Sequence, residues 1–180
     1  TFGEMIAEDY PMFDIEYVFL QIRSKSVGEK AKIKVLCPDD GKTYAETEID
    51  LSKIEVYVDD DHTNNIMIDE GRKLGVVMKY PTLRDIDGDT LTGEVNVEKT
   101  YKMIENSVDS IYEGDKVYPA KDTDKKEISE FLDNLTADQM KKLQAFYNSM
   151  PRLEHKIKVK NPKTDVESEV TLKGLASFFG

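Results

Sequence analysis

Apolar and polar positions along the chain follow two different periods, which divide it into helical and extended segments. The first helical segment lies between Pro11 and Gly28, where a proline suits the first turn, acidic residues follow it, and a glycine ends the run. This pattern predicts a helix over residues 12 to 25. Its apolar side chains are spread around most of the circumference, so we expect the helix to be covered on several sides.

Two extended segments alternate strictly and predict antiparallel hairpins with one face in water. In the first, Ile33 and Val35 alternate with lysines, and a Pro-Asp-Asp-Gly turn leads to a strand that alternates with acids. In the second, Ile157 and Val159 occupy the same positions relative to a later proline. The shared letters KIKV, two residues and a proline indicate one duplicated hairpin motif, with chance similarity of short alternating segments as the alternative.

The two strands of the first hairpin carry opposite charges. Lys32 and Lys34 on one strand are expected to face Glu46 and Glu48 on the other, and each such pair contributes roughly 0.2–1 kcal/mol. The second hairpin repeats the letters EIDL as EVTL, with a turn that is three residues shorter by this alignment.

Shorter apolar runs predict further strands before Pro81. They cover residues 55–58, 66–68 and 74–80, and turn-rich segments separate them. We expect these strands to extend the first hairpin into a small sheet.

Helical periods dominate the segment that follows. Steps of four and three predict an amphipathic helix through Val97, Tyr101, Ile104, Val108 and Ile111.

Two more helices are predicted after a polar connection, EGDKVYPAKDTD. Their starts read as capping boxes, Asp124 with Glu127 and Thr136 with Gln139. An apolar run follows each box, and a proline ends the second. We therefore expect residues 95 to 150 to form a helical half.

Together these segments predict an α+β fold, in which small antiparallel β-hairpins and a sheet are flanked by about four helices. Three regions follow one another: an N-terminal helix with hairpin and sheet over 1–92, a helical region over 93–151, and a C-terminal hairpin with a short helix over 152–180. With 180 residues the chain suits one domain. We expect the last region to pack back, so that the three form one compact unit.

Charge and composition narrow the classes of partner. The net charge is -11, and 34% of the residues are charged against 39% hydrophobic. Negative charge repels phosphate backbones and anionic lipids, so we expect neither nucleic acid nor a membrane as partner. No apolar run approaches the ~20 residues that cross a bilayer, and the start lacks the order of a signal peptide. The chain begins with Thr1 instead of Met, so we expect that residues upstream were removed or were not resolved.

No residue pattern indicates catalysis or metal binding. Cys37 is the single cysteine, has no histidine near it in the sequence, and is expected to be a small apolar residue at a strand end. His62 and His155 lie outside any ligand spacing such as HExxH. A single cysteine forms no intrachain disulfide, which favours a reducing compartment. We therefore expect no catalytic residues, no metal and no cofactor.

One acidic segment, DIDGDT, has part of the pattern of a calcium loop. Asp85, Asp87 and Asp89 stand at alternating positions, as oxygen ligands do in such loops. However, the glycine falls at the fourth position instead of the sixth, and the twelfth is Asn96 instead of glutamate. A solvated turn is therefore the preferred interpretation, and a calcium-dependent binding module is an alternative.

Aromatic residues are the candidates for a partner interface. Two adjacent phenylalanines at a chain end, Phe178 and Phe179, cannot easily both point inward from one short helix. We expect one of them to dock on a partner, with local packing as the alternative. Tyr147 and Phe13 complete the candidate interface.

Several motifs, in their order and spacing, resemble those of a known family. They are the run PMFDIEYVFLQIRSKSVGE, a hairpin with a Cys-Pro turn, GVVMKYPTL, and an EHKIKV hairpin that ends in LKGLASFF. From Pro11 to Phe179 they resemble the baseplate hub subunits and hub assembly proteins of T-even-like contractile-tailed bacteriophages. The resemblance implies a structural subunit or an assembly factor of the hub, with no enzyme activity.

The resemblance also implies features that this chain keeps only in part. Members carry a further N-terminal segment, which agrees with the start at Thr1. Some have paired cysteines at both hairpin turns, similar to zinc ribbons. Here the first turn has Cys37 alone and the second has Asn161 and Pro162, so metal binding is not expected.

The sequence thus predicts a non-catalytic structural or assembly protein of a phage tail baseplate hub, which acts through contacts with other baseplate or hub proteins. Its expected location is the host cytoplasm during assembly and then the tail baseplate of the virion. The alternatives are the calcium-dependent module and a hub-associated hydrolase that uses paired carboxylates, since the chain contains 36 acidic residues.

Overall fold

The structure, a computed structural model, describes residues 6–85 and 97–179. Within these residues it contains four α-helices and three small antiparallel sheets, which confirms the predicted α+β class. The helices are α1 (Met12–Val27), α2 (Val97–Asn106), α3 (Lys125–Asp133) and α4 (Ala137–Ser149). The strands are β1 (Lys30–Leu36), β2 (Tyr44–Asp50), β3 (Glu55–Tyr57), β4 (Asn65–Asp69), β5 (Leu74–Met78), β6 (Val108–Glu113), β7 (Lys116–Pro119), β8 (Arg152–Lys160) and β9 (Glu167–Lys173).

Contacts within the chain divide it into two compact units. The hairpin unit consists of Met12–Val58 and Pro151–Gly180, and the sheet-and-helix unit consists of Thr1–Pro11 and Asp59–Met150. The three regions expected from the sequence follow the order of the chain, whereas the contacts group the first and last hairpins in one unit.

Two antiparallel sheets make up the hairpin unit. β1 pairs with β2, and β8 lies between β3 and β9. Lys32 is opposite Glu48 and Lys34 is opposite Glu46, as predicted. The alternating apolar side chains point away from these charges, into a core that includes Leu20, Ile33, Val35, Ile49, Leu51, Ile54, Leu153, Val159 and Leu172.

The strands after the first hairpin do not extend its sheet. β3 pairs with β8 from the other end of the chain, and β4 and β5 belong to the sheet-and-helix unit. The expected extension of the hairpin is therefore wrong. Alternation shows that a segment is extended, but the choice of partner strand depends on packing between segments that are distant in sequence.

The sheet-and-helix unit contains one sheet with the order β4-β5-β6-β7. Gly75 on β5 lies opposite Tyr112 on β6, and a methyl group at Gly75 would overlap the Tyr112 ring. The Tyr112 hydroxyl donates to Asn65 Oδ1 on β4 at 2.7 Å, so this ring ties three strands together. Sheet and helices share a core that includes Ile68, Leu74, Val76, Met78, Ile104, Val108, Ile111, Ile128, Leu132, Leu143 and Phe146.

Residues 95 to 150 are not helical throughout, in contrast to the prediction. α2 ends at Asn106, and Val108 and Ile111, which were expected to continue it, lie on β6. The segment expected to be a polar connection contains β7. β6 forms hydrogen-bonded ladders with β5 on one side and β7 on the other, and these tertiary contacts outweigh a weak local preference for helix.

The two predicted capping boxes differ in the structure. At Thr136 the box is complete: Thr136 Oγ1 accepts from Gln139 N at 3.3 Å, and Gln139 Oε1 accepts from Thr136 N at 2.9 Å. At the start of α3, Asp124 accepts from Lys126 N at 2.9 Å. Asp124 is therefore a cap without the reciprocal bond that a box requires.

Candidate partner-binding surface

Helix α1 is apolar on two opposite faces. On the inner face, Leu20 and Ser24 are buried, and Leu20 belongs to the hairpin core. On the outer face, steps of three and four residues align a row that consists of Met12, Ile15, Phe19, Ile22 and Ser26. This spacing is that of a coiled-coil seam, and no charged side chain interrupts it.

The apolar residues in the middle of the outer row are exposed, whereas Met12 and Ile15 are half-buried. Phe19 is 52% exposed and Ile22 is 60% exposed. The ring of Phe179, which is 38% exposed, meets that of Phe19 edge to face with 6.2 Å between the centroids. The outer row and Phe179 therefore form one continuous apolar patch, the α1–Phe179 surface, of the kind that marks interaction sites.

A turn at Gly174 brings the C-terminal residues to α1. Gly174 has a φ of +69°, a conformation that favours glycine, and its N–H donates to the Leu153 carbonyl at 2.9 Å. The N–H of Leu175 donates to the carboxylate of Glu16 on α1. Burial raises the pKa of Glu16, and this hydrogen bond opposes the rise. Polar contacts thus hold the chain end beside α1.

The four aromatic residues expected at a partner interface have different environments. Phe178 is fully buried in the hairpin core, and Phe179 is the most exposed of the four. Phe13 is half-buried, in helical phase with Leu20 on the inner side of α1. Tyr147 is half-buried in the sheet-and-helix unit. The Tyr147 hydroxyl donates to the Met103 carbonyl at 3.0 Å, and burial raises its pKa to about 12.

The outer row of α1 was not singled out from the sequence. The seam spacing of the row is visible in the sequence, but apolar residues also occupy the inner face. The sequence pattern is therefore that of a helix that is apolar all round, and it does not distinguish this row. The expectation that α1 is covered on several sides is met on the inner face, whereas Phe19 and Ile22 remain open.

The other residues that were considered for catalysis or metal binding show no arrangement that suits either role among the residues that the structure describes. Cys37 is buried, and burial raises the pKa of its thiol, so the reactive thiolate is disfavoured. The ring nitrogens of His62 are hydrogen-bonded to two hydroxyl groups. Among the residues that the structure describes, no three His, Cys, Asp or Glu side chains gather as a metal site would require. Asp87 and Asp89 of the DIDGDT segment lie outside the described residues.

The chain is similar over nearly its whole length to a known protein family. A family model described as T4 bacteriophage base plate protein matches residues 2–180. No curated protein and no solved structure matches the chain. In residues 6–85 and 97–179, no helix has the length and the apolar content that spanning a membrane requires.

Proposed function

The chain belongs to the T4 bacteriophage base plate protein family, and we propose that it is a non-catalytic structural or assembly protein of the baseplate hub. The family match over residues 2–180 supports a structural or assembly role in the phage tail. The likeness of its helix and hairpin motifs to hub proteins supports the hub as its place. Its expected locations are the host cytoplasm during assembly and then the tail baseplate.

The observation that carries this proposal is the α1–Phe179 surface. We propose that it binds a helix of another baseplate protein, whose apolar side chains pack between Phe19, Ile22 and Phe179. The seam spacing of the outer row suits a helix, and the absence of charge in the row suits an apolar face. Complete burial of one such side chain contributes roughly 1.5–3 kcal/mol.

Two features indicate that the α1–Phe179 surface binds another protein and not a second copy of this chain. A helix of 16 residues is ~24 Å long and ~10 Å wide, so one face offers ~240 Å². Each partner in a stable interface contributes ~800 Å². Two copies would also repel each other at long range, because each carries a net charge of -11, although none of this net charge lies in the hairpin unit that contains α1. The surface therefore suits an assembly in which further contacts hold both proteins in place.

The test introduces charge into this surface. The variants are Ile22→Glu and Phe179→Glu, alone and together, and thermal unfolding checks that each one folds. Val166→Glu is the matched control, because Val166 is an exposed apolar residue (46%) of the same unit that lies outside α1 and the chain end.

We expect the double variant to enter baseplates at less than roughly a tenth of the wild-type level, which corresponds to about 1.4 kcal/mol of lost binding. Val166→Glu is expected to enter at the wild-type level. Quantitative mass spectrometry of baseplates and assembly intermediates from infected cells measures both. Normal incorporation of a folded double variant would contradict docking through α1. Absence of the wild-type protein from all these particles would contradict the proposed function.

Two assays of the purified wild-type protein distinguish the proposed structural role from its alternatives. A hub-associated hydrolase would clear suspensions of host cell wall, and a calcium-dependent module would melt at a higher temperature with calcium and at the original temperature after a chelator is added. Either result would replace the structural role with the corresponding alternative.

A further inference from the structure

The net charge of the chain belongs to one of its two units. The hairpin unit contains 13 acidic and 13 basic residues, and the sheet-and-helix unit contains 23 acidic and 12 basic residues. The hairpin unit is therefore neutral, and the sheet-and-helix unit carries the whole net charge of -11. A partner that is steered by positive charge approaches the sheet-and-helix unit.

A groove of about 600 Å³ opens on the sheet-and-helix unit, between its sheet and helix α3. Its floor is apolar and contains Leu74, Ile111, Phe131 and Leu135. Leu74 on β5 and Ile111 on β6 are buried, and the other two are half-buried. The volume lies in the range of sites that enclose a ligand.

Two carboxylates without an ion-pair partner line the α3 side of the groove. Glu127 and Glu130 are exposed and three residues apart, so they lie on one face of the helix. Neither forms an ion pair with any other residue that the structure describes. On the sheet side, Glu113 is paired with Arg72 at 2.8 Å. The rim therefore carries two uncompensated negative charges.

Uncharged polar side chains of the rim are held by the fold. Thr123 Oγ1 donates to the Pro119 carbonyl at 2.8 Å, and Asn134 Nδ2 donates to the Glu130 carbonyl at 2.6 Å. Gln139 is held in the complete capping box at the start of α4. These bonds fix the shape of the groove before any partner arrives, which lowers the entropy that binding costs.

An aromatic ring lines the same groove as the carboxylates. Tyr118 on the edge strand β7 lines the groove and is 46% exposed. The face of such a ring attracts the cationic groups of lysine and arginine. Ring, carboxylates and apolar floor together form an environment for a basic residue next to an apolar one.

We propose that this groove binds a segment of another baseplate protein in which an apolar side chain is flanked by lysine or arginine. The apolar side chain covers the floor, where it is removed from water. The cation pairs with Glu127 or Glu130 on the exposed α3 side of the groove. This inference rests on the proposed function, which supplies the class of partner, and it concerns a different unit from the α1–Phe179 surface.

A peptide titration tests the groove directly. The probe is a synthetic peptide with Lys-Phe-Lys between glycine and serine residues, and its counterpart carries Glu-Phe-Glu. Each is added to the isotope-labelled full chain, and the NMR chemical shifts are followed. The variant is Glu127→Gln with Glu130→Gln, which removes charge but keeps shape. The control, Asp60→Asn with Asp61→Asn, removes the same charge from exposed positions of the same unit.

The lysine peptide is expected to shift signals of the groove floor, and the glutamate peptide is expected to shift none. The dissociation constant of the lysine peptide should rise at least ~3-fold in the glutamine variant and stay unchanged in the control. Equal weakening in both variants would mean non-specific attraction and would overturn the proposal, as would shifts clustered outside the groove. Sedimentation that shows self-association lost in the glutamine variant would identify a second copy as the occupant, which also overturns it.

Failure of this inference is distinguishable from failure of the proposed function. The peptide reports on the groove alone, whatever the protein does in the cell. In infected cells, the glutamine variant is expected to enter baseplates less efficiently than the asparagine control. A wild-type protein that binds the peptide but is absent from baseplates contradicts the function, and one present in baseplates that ignores the peptide contradicts the groove.

Discussion

Packing between distant segments decides the environment of His62. Its Nδ1 lies 2.9 Å from Ser149 Oγ, and its Nε2 lies 2.9 Å from the Tyr80 hydroxyl. Its ring lies against those of Tyr80 and Phe146, with centroids 5.7 and 5.4 Å away. Burial lowers the pKa of His62, and Asp59 opposes this more weakly. The sequence indicated only that His62 lies outside any metal-ligand spacing, and it could not indicate these neighbours, because Tyr80 and Ser149 lie far from His62 in the chain.

This environment predicts that acid destabilises the sheet-and-helix unit. The folded pKa of His62 lies below its ordinary value of 6.5, so the unfolded chain binds a proton more readily than the folded one. The stability contributed by neutral His62 is complete above pH 6.5 and is lost as the pH falls from 6.5 toward the folded pKa. We expect the urea midpoint, followed by NMR signals of this unit, to fall between about pH 7 and about pH 5.

Removing the titrating group tests this assignment. Glutamine keeps hydrogen-bonding atoms but has no pKa in this range, so the midpoint of His62→Gln is expected to depend less on pH than that of the wild type. His155→Gln, in the hairpin unit, is the matched control and should keep the wild-type slope. An unchanged slope in His62→Gln would assign the pH dependence to other groups.

The terminal phenylalanines show how far single residues of the binding surface were predictable. Adjacent aromatic residues at a chain end indicated that both could not easily point inward. Which one turns inward depends on the phase of the short 3-10 helix at Leu175–Phe178 and on what it packs against. The structure buries Phe178 and exposes Phe179, while docking of Phe179 on a partner stays a prediction.

Among the elements, the two hairpins support the duplicated motif. In the first turn the Gly41 N–H donates to the Cys37 carbonyl at 3.0 Å, and in the second the Asp165 N–H donates to the Asn161 carbonyl at 2.9 Å. Gly41 and Asp165 have φ values of +61° and +62°. Both turns therefore share a hydrogen bond over four residues and a residue in the left-handed region at its end.

Strand pairing revises the alignment of the two hairpins. Val35 is opposite Ala45, and Val159 is opposite Ser168, so the second turn is one residue shorter and not three. The letters EIDL and EVTL are therefore displaced by two residues in the structure. Side chains alternate with a period of two, so this displacement keeps every residue on its face, and the pattern of letters could not reveal it.

Polar bonds join the two hairpin turns. The Asp39 carboxylate accepts from Thr164 Oγ1 at 2.6 Å and from Asn161 Nδ2 at 3.0 Å, and these bonds lower the pKa of Asp39. Asn161 Oδ1 accepts from the Lys163 N–H at 2.8 Å. Asn161 is buried, so its amide serves both turns without competition from water.

We expect Asn161→Ala to destabilise the hairpin unit by about 1–3 kcal/mol, because the Lys163 N–H and the Asp39 carboxylate each lose a partner. Urea unfolding, followed by NMR signals of β8 and β9, measures the loss. Lys163→Ala changes an exposed side chain in the same turn and is expected to stay within about 0.5 kcal/mol of the wild type. Equal stability of both variants would show that the turns are held by other contacts.

At the scale of the molecule, each unit has its own apolar core. Leu143 in the sheet-and-helix unit and Leu153 in the hairpin unit are both fully buried, and truncation of such a leucine to alanine costs about 2–5 kcal/mol. We expect Leu143→Ala to accelerate hydrogen exchange in β4 to β6 and Leu153→Ala to accelerate it in β8 and β9. Equal acceleration in both units by either variant would contradict separate cores.

Interactions over a few neighbouring residues were enough to predict much of the molecule. Helix α1, the pairing of Lys32 with Glu48 and the cap at Thr136 follow from apolar periods, turn residues and capping residues. The net charge of -11 also follows from the letters alone. Each of these features depends on chemistry that adjacent residues carry with them.

Packing between distant segments determined the features that the local sequence pattern left undetermined. It placed β6 between β5 and β7, paired β3 with β8, and confined the charge to one unit. It also left Phe19 and Ile22 uncovered and set Glu127 and Glu130 beside an apolar groove. Several pairings and several covered faces are compatible with the same local pattern, and the free energy that selects among them comes from contacts between distant parts of the chain.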